Sequence, residues 1–268
     1  MLMIPFSAYA KRPFSALSGG KKRASRIIMV ASGKGGVGKT WFSISLAHAL
    51  AENGEKVLLV DGDMGLANVD IQLGLMPKKD LSLVLKGCAT VEEVILSYTS
   101  ANFDIIAGRS GCGRLSFLSP ERLMYIQTTI KRIAPRYNTV VIDMGTGIGE
   151  TVWAFGRIAD EGLIMITDEP TSLTDAYALI KLAHANTELA HLKLKIVANK
   201  MDTLEAGEKA YGILKKTCET FLNFTPGFLG TIRCDKAVRK AICHQSPLLS
   251  RYAQSPAAHD VRQMITRL

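Results

Sequence analysis

Short apolar runs alternate with longer amphipathic stretches along most of this chain. Arg26-Ile-Ile-Met-Val-Ala31 predicts a buried strand, and Lys56–Val60, Phe103–Ala107, Thr139–Ile142, Gly162–Thr167 and Lys193–Ala198 have the same strand character. Between them, apolar residues recur at helical spacing over Lys39–Asn53, Pro120–Ala134, Gly149–Ala159, Ser172–Leu189 and Leu204–Leu222. Strands that alternate with helices predict a doubly wound, mostly parallel α/β sheet with helices on both faces. The pattern holds from residue 26 to residue 268 without a second domain, an internal repeat or a low-complexity segment. Residues 1–25 lack periodicity and predict a flexible tail.

Composition sharpens this picture in two places. The formal charge is +9, but residues 1–26 hold Lys11, Arg12, Lys21, Lys22, Arg23 and Arg26 with no acid, leaving 27 bases and 24 acids in the remainder. A nearly neutral body therefore carries a basic tail that also holds Phe6, Tyr9 and Phe14. Such a tail fits a solubilising arm, or a contact with nucleic acid or anionic lipid. No run approaches the roughly 20 apolar residues of a membrane span. The cysteines, Cys88, Cys112, Cys218, Cys234 and Cys243, are odd in number and never form a C-x-x-C pair, which points to a reduced cytoplasmic setting.

The chemistry starts at Gly33-Lys34-Gly35-Gly36-Val37-Gly38-Lys39-Thr40, between a predicted strand and a predicted helix. In that context the G-x-x-x-x-G-K-[ST] pattern is a phosphate loop. Its glycines let successive backbone N–H groups turn toward a β-phosphate, aided by the helix N-terminus. Lys39 would bridge β- and γ-oxygens, and Thr40 would offer its hydroxyl to Mg²⁺. Two further strands end in acids: Val57-Leu-Leu-Val-Asp61-Gly-Asp63 and Val140-Val-Ile-Asp143. Ligands of open α/β sheets sit at the carboxyl ends of strands, so these acids belong near the γ-phosphate. Asp143 completes a Walker B pattern and is a candidate for the magnesium shell. Gly145-Thr-Gly-Ile148 follows as a candidate switch. Asn199-Lys200 ends another strand, and the Asn199 amide matches the donor and acceptor of an adenine edge. A cap on the next helix is the competing explanation for Asn199.

Taken together these motifs resemble the ParA/MinD superfamily of deviant Walker A ATPases. The resemblance covers Arg26 to the C-terminus. It implies ATP and Mg²⁺ as ligands, slow hydrolysis, and an ATP-dependent homodimer in which Lys34, inside the loop, reaches the partner's phosphates in trans. It also implies Asp63 as the residue that positions the attacking water and Asp61 as support for the metal shell. Catalysis would then rest on Lys34, Lys39 and Asp63.

Within the superfamily, Asp61-Gly-Asp-Met-Gly-Leu-Ala-Asn68 is similar to the flagellar number regulators of the FlhG/FleN group. Glu169–Lys181 is similar both to that group and to MinD, and Gly230-Thr-Ile followed by Asp235, Val238, Ala241 and Ser246-Pro247 resembles their shared C-terminal block. The implied role is a switch setting flagellar number or placement, with a flagellar GTPase or transcription regulator as partner and a peripheral contact at the inner face of the cell membrane or the pole. A DNA- or cargo-partitioning ATPase is the alternative. An iron–sulfur carrier would need paired cysteines, and a non-enzymatic adaptor would need Asp63 out of position. The chain departs from the flagellar pattern at Met144 and Thr146 and at Arg233, where proline is usual, and its tail lacks the Asp-Gln-Ala motif used toward the GTPase. His259–Leu268 puts Val261, Met264, Ile265 and Leu268 on one helical face, which suits a packed terminal helix better than a membrane anchor.

Overall fold

Alternation along the strands divides the interior into two cores. In β1 (Arg26–Ser32), Ile27, Met29 and Ala31 face one core while Ile28 and Val30 face the other. β2 (Val57–Asp61) does the same with Leu58 and Val60 against Val57 and Leu59. A strand apolar on both faces must be covered on both faces. The computed structural model, which describes residues 25–63, 65–108 and 118–268, provides that cover.

The other strands are β3 (Ile95–Tyr98), β4 (Phe103–Ile106), β5 (Thr139–Thr146), β6 (Glu161–Ile166), β7 (Lys193–Met201) and β8 (Gly227–Arg233). They form one eight-stranded sheet in the order β3-β4-β2-β5-β1-β6-β7-β8. All neighbours are parallel except the β3–β4 pair at one edge. This is a single α/β domain of the P-loop NTPase type. β3 and β8 are additions to the strands expected from the sequence.

One face carries α1 (Lys39–Glu52), α2 (Val69–Leu73), α9 (Lys236–Cys243), α10 (Leu248–Arg251) and α11 (Pro256–Met264). The other carries α3 (Leu81–Leu85), α4 (Val91–Val94), α5 (Pro120–Ile133), α6 (Glu150–Gly156), α7 (Pro170–Ala185) and α8 (Leu204–Leu222). α1 is buried almost all round, because the sheet covers its inner side and α10 and α11 cover its outer side. α7 starts two residues before the expected helix, at Pro170, a residue preset for the first helical position.

The last helix packs as expected. Val261 and Met264 are buried, and Ile265 and Leu268 pack against the same core. α11 is tied to β8 by Arg233, whose N–H and Nε donate to Asp260 Oδ2 (3.0 Å each) and whose Nη2 donates to Oδ1 (2.7 Å). It is tied to α1 by Arg262, which forks onto both oxygens of Glu52 (2.7 and 3.0 Å). No described helix is long and apolar enough to cross a membrane. The tail expected over residues 1–25 lies outside the described residues, apart from Ser25, as does Cys112.

Candidate functional site

β1, β2 and β5 deliver their carboxyl ends to one place, since Asp61 on β2 lies in register with Asp143 on β5, and β5 also pairs with β1. The loop of residues 33–38 leaves β1 there and enters α1. Two positions show why it is glycine-rich. Gly38 has φ of 99°, and a Cβ on it would lie 2.6 Å from Asn199 Nδ2. A Cβ on Gly33 would lie 2.6 Å from both Cβ and the carbonyl oxygen of Asp175, so α7 presses directly on the loop.

The Lys39 side chain is buried beneath the loop with one hydrogen bond, from Nζ to Ser32 Oγ (3.0 Å). Desolvation pulls its pKa below the usual lysine value, and the charges of Asp143 and Asp63 oppose that pull. A buried ammonium with one neutral partner is under-satisfied, and an anion above it supplies what is missing. The residues therefore fit a phosphate group.

Asp143 accepts from Ser43 Oγ (2.8 Å), one turn along α1 from Thr40, which also bonds to it. Burial raises Asp143 to about 6, against the pull of those two hydroxyls and of Lys39. Asp61 is pushed up to about 8, by burial first and then by the Asp143 charge. Two buried carboxylates side by side, with hydroxyls and an ammonium, suit a hydrated divalent cation. The Asp61 oxygens already hold backbone. Oδ1 accepts from Asp63 N (3.1 Å), and Oδ2 accepts from Asn68 N (3.0 Å) and Val69 N (3.1 Å). That arrangement folds the segment after β2 back toward the sheet.

Asp63 lies against the switch segment, with its Cγ 3.2 Å from where a Cβ on Gly145 would be. Its Oδ1 accepts from Gly65 N (3.2 Å) and Leu66 N (2.9 Å). The N–H of Gly147 (φ 105°) donates to Ser32 O (3.1 Å), so the switch leans on the end of β1. The Lys34 Nζ donates to Glu169 Oε2 and to Thr171 Oγ1 (2.9 Å) at the start of α7.

Asn199 is buried and donates through Nδ2 to Val37 O (2.7 Å), while Lys200 Nζ donates to Gly36 O (2.8 Å). The β7–β8 register shifts between Ala198 and Met201, and this bulge turns both side chains onto the loop. The cap of α8 belongs to Thr203, whose Oγ1 accepts from Ala206 N (3.1 Å), so Asn199 is not that cap.

The structure thus gathers Gly33–Thr40, Asp61, Asp63, Asp143 and Asn199 into one site. Sequence reading missed Ser32 and Ser43, the hydroxyl partners of Lys39 and Asp143, and Asp175. Ser43 was within reach, because positions i and i+3 of a helix share a face and Thr40 was already assigned. Ser32 and Asp175 carried no such signal. Among the described residues no group of three or more His, Cys, Asp or Glu could hold a metal by itself, and Cys88, Cys218, Cys234 and Cys243 are free thiols.

The nucleotide-binding domain shared by CobQ, CobB, MinD and ParA matches residues 28–248. The chain belongs to this family. Among MinD/ParA relatives, the antiactivator FleN of Pseudomonas aeruginosa is 37% identical over 239 residues, which is 89% of this chain and 84% of FleN. The flagellum site-determining protein YlxH of Helicobacter pylori is 31% identical, over 82% of this chain and 74% of its own. In structure, the cell-division ATPase MinD of Pyrococcus furiosus superposes with a TM-score of 0.74 at 27% identity, covering 91% of this chain and 98% of that one. The Mg-ADP complex of MinD from Pyrococcus horikoshii matches with a TM-score of 0.75 at 24% identity, which speaks for the fold.

Proposed function

We propose that this chain is an ATP-binding, slowly ATP-hydrolysing dimerisation switch that regulates flagellar number or placement. The observation that carries the chemistry is the buried Lys39 ammonium beneath the glycine loop, facing Asp143 and Asp63. The flagellar assignment is supported by the similarity to FleN and to YlxH.

In this reading the backbone N–H groups of Gly33–Gly38 and the Lys39 ammonium hold the phosphates. Thr40, Asp61 and Asp143 would hold Mg²⁺, which when bound screens phosphate charge. Asp61 also fixes the loop that carries Asp63. Asp63 orients the attacking water, and its contact with Gly145 lets the switch register whether the γ-phosphate is present. Asn199 lines the base end. Lys34 leaves Glu169 and Thr171 when a second copy docks and then serves the partner's phosphates, as the superfamily resemblance implies. Exposed Leu66 and Ile148, close to Asp63 and the switch, become covered in that dimer. A flagellar GTPase or transcription regulator would read the dimer, and attachment at the membrane or pole would be peripheral.

The test is specific ATP turnover followed against protein concentration, with sizing in ATP. Turnover per molecule should climb with concentration across the monomer–dimer range, and Lys34→Ala should bind ATP without hydrolysing it. A specific rate that ignores concentration would sink the dimer mechanism.

A further inference from the structure

Asn199 and Lys200 hold the phosphate loop, and what each can still offer a base suits both purines. The Asn199 amide has a second N–H beyond the one given to Val37 O, and it suits the N7 acceptor that adenine and guanine share. Lys200, stretched from β7 to Gly36 O, presents its aliphatic stem as a platform for either purine ring. Lys200 has φ of 61°, a left-handed conformation that a lysine rarely adopts and that recurs where a site dictates the backbone.

The discriminating group stands two residues on. Asn199 and Met201 are buried while Lys200 and Asp202 are exposed, and Asp202 follows directly on the last residue of β7, two positions from Lys200. Met201 is pinned by Cys234 N, which donates to its carbonyl (2.7 Å), and this fixes where Asp202 leaves the sheet. Among the described residues the Asp202 carboxylate has no hydrogen-bond or ion-pair partner. Capping of α8 does not account for it either, because Thr203 performs that task.

The Watson–Crick edge decides what a carboxylate at this place accepts. Guanine offers N1–H and N2–H side by side, two donors matched to the two oxygens of an acceptor-only group. Adenine offers a bare N1 lone pair there, which a carboxylate repels, so adenine would be held through N7, its 6-amino group and its ring face.

We propose that the base end of this site accepts guanine as well as adenine, with Asp202 as the residue that recognises guanine, so that GTP binds with an affinity comparable to that of ATP. The proposal rests on the reading of the phosphate loop as a nucleoside triphosphate site and extends it to the base. If it holds, the state of the switch follows the combined pool of both purine triphosphates.

Equilibrium displacement of a ribose-labelled fluorescent ATP from the full chain, with Mg²⁺ present, tests it without recourse to turnover. Unlabelled GTP should displace the probe within about threefold of the ATP concentration needed, and a requirement about a hundredfold higher would overturn the proposal. In Asp202→Asn the ratio of GTP to ATP affinity should fall about tenfold, as expected when a charged double hydrogen bond is lost. The same variant should gain affinity for xanthosine triphosphate, because an amide can donate to the C2 carbonyl and accept from N1–H, and a folding defect cannot mimic a gain. An unchanged GTP-to-ATP ratio in Asp202→Asn would refute the assignment. Failure of the probe itself to bind would overturn the triphosphate site, a result separate from loss of guanine alone.

Discussion

The pair between Arg233 and Asp260 makes an asymmetric prediction. The Asp260 side chain is 1% exposed, while that of Arg233 is 33% exposed. In Arg233→Ala the carboxylate stays buried with only the backbone N–H of residue 233 to hold it. Leaving a buried charge without its partner costs about 3–5 kcal/mol, and the retained amide places the expected loss near the lower end, about 3 kcal/mol. In Asp260→Ala the guanidinium is already a third in water and can turn outward, so the cost is mainly the lost hydrogen bonds, about 1–2 kcal/mol. The double variant should be no less stable than Arg233→Ala alone, since no charge is left stranded. Urea unfolding followed by circular dichroism measures all three, with the slope m checked for constancy so that midpoints compare directly. If Asp260→Ala proved as damaging as Arg233→Ala, the pair would be acting through packing and not through buried charge.

Two further outcomes follow from the site. Lys39→Ala should lose ATP binding by calorimetry, whereas Asp63→Ala should bind ATP and accumulate as a dimer on sizing; parent-rate turnover by Asp63→Ala would remove it from catalysis. Burial raises Asp143 to about 6 and Asp61 to about 8, above their unfolded value near 3.8, so the folded chain holds more protons and its stability falls as pH rises through that window. Thermal unfolding of Asp143→Asn, measured from about pH 5 to about pH 8, should therefore show a shallower decline than the parent, and an equal slope would contradict the cause given.

The sequence carried the phosphate loop well because its parts are adjacent, and the strand and helix that flank it declare themselves by period. It carried the acids Asp61 and Asp143 because each ends an apolar run. What it could not carry were contacts made across the chain. Glu169 meets Lys34 from 135 residues away, and Asn199 meets Val37 from 162. β3 has only four residues and follows α4 directly, so neither period has room to show. β8 contains Gly227 and Gly230, which dilute its strand signal, and it is held by pairing with β7 and by α11 packed against it. Arg233 stood out only as a departure from a usual proline, and nothing in the sequence named its partner, Asp260, 27 residues on.

The burial of α1 on every side has a consequence for how the protein is made. The helix leaves the ribosome before α10 and α11, with Trp41, Phe42, Ile44 and Leu46 already present, but its outer surface is sealed by those two. Those helices are synthesised some two hundred residues later. Until then the nascent chain displays an apolar helix whose lid does not yet exist, and the phosphate loop lacks a rigid base. Capacity to take nucleotide should thus arise abruptly once α10 and α11 have been made, and chains cut short before residue 248 should be targets for chaperones and proteases and not half-working switches.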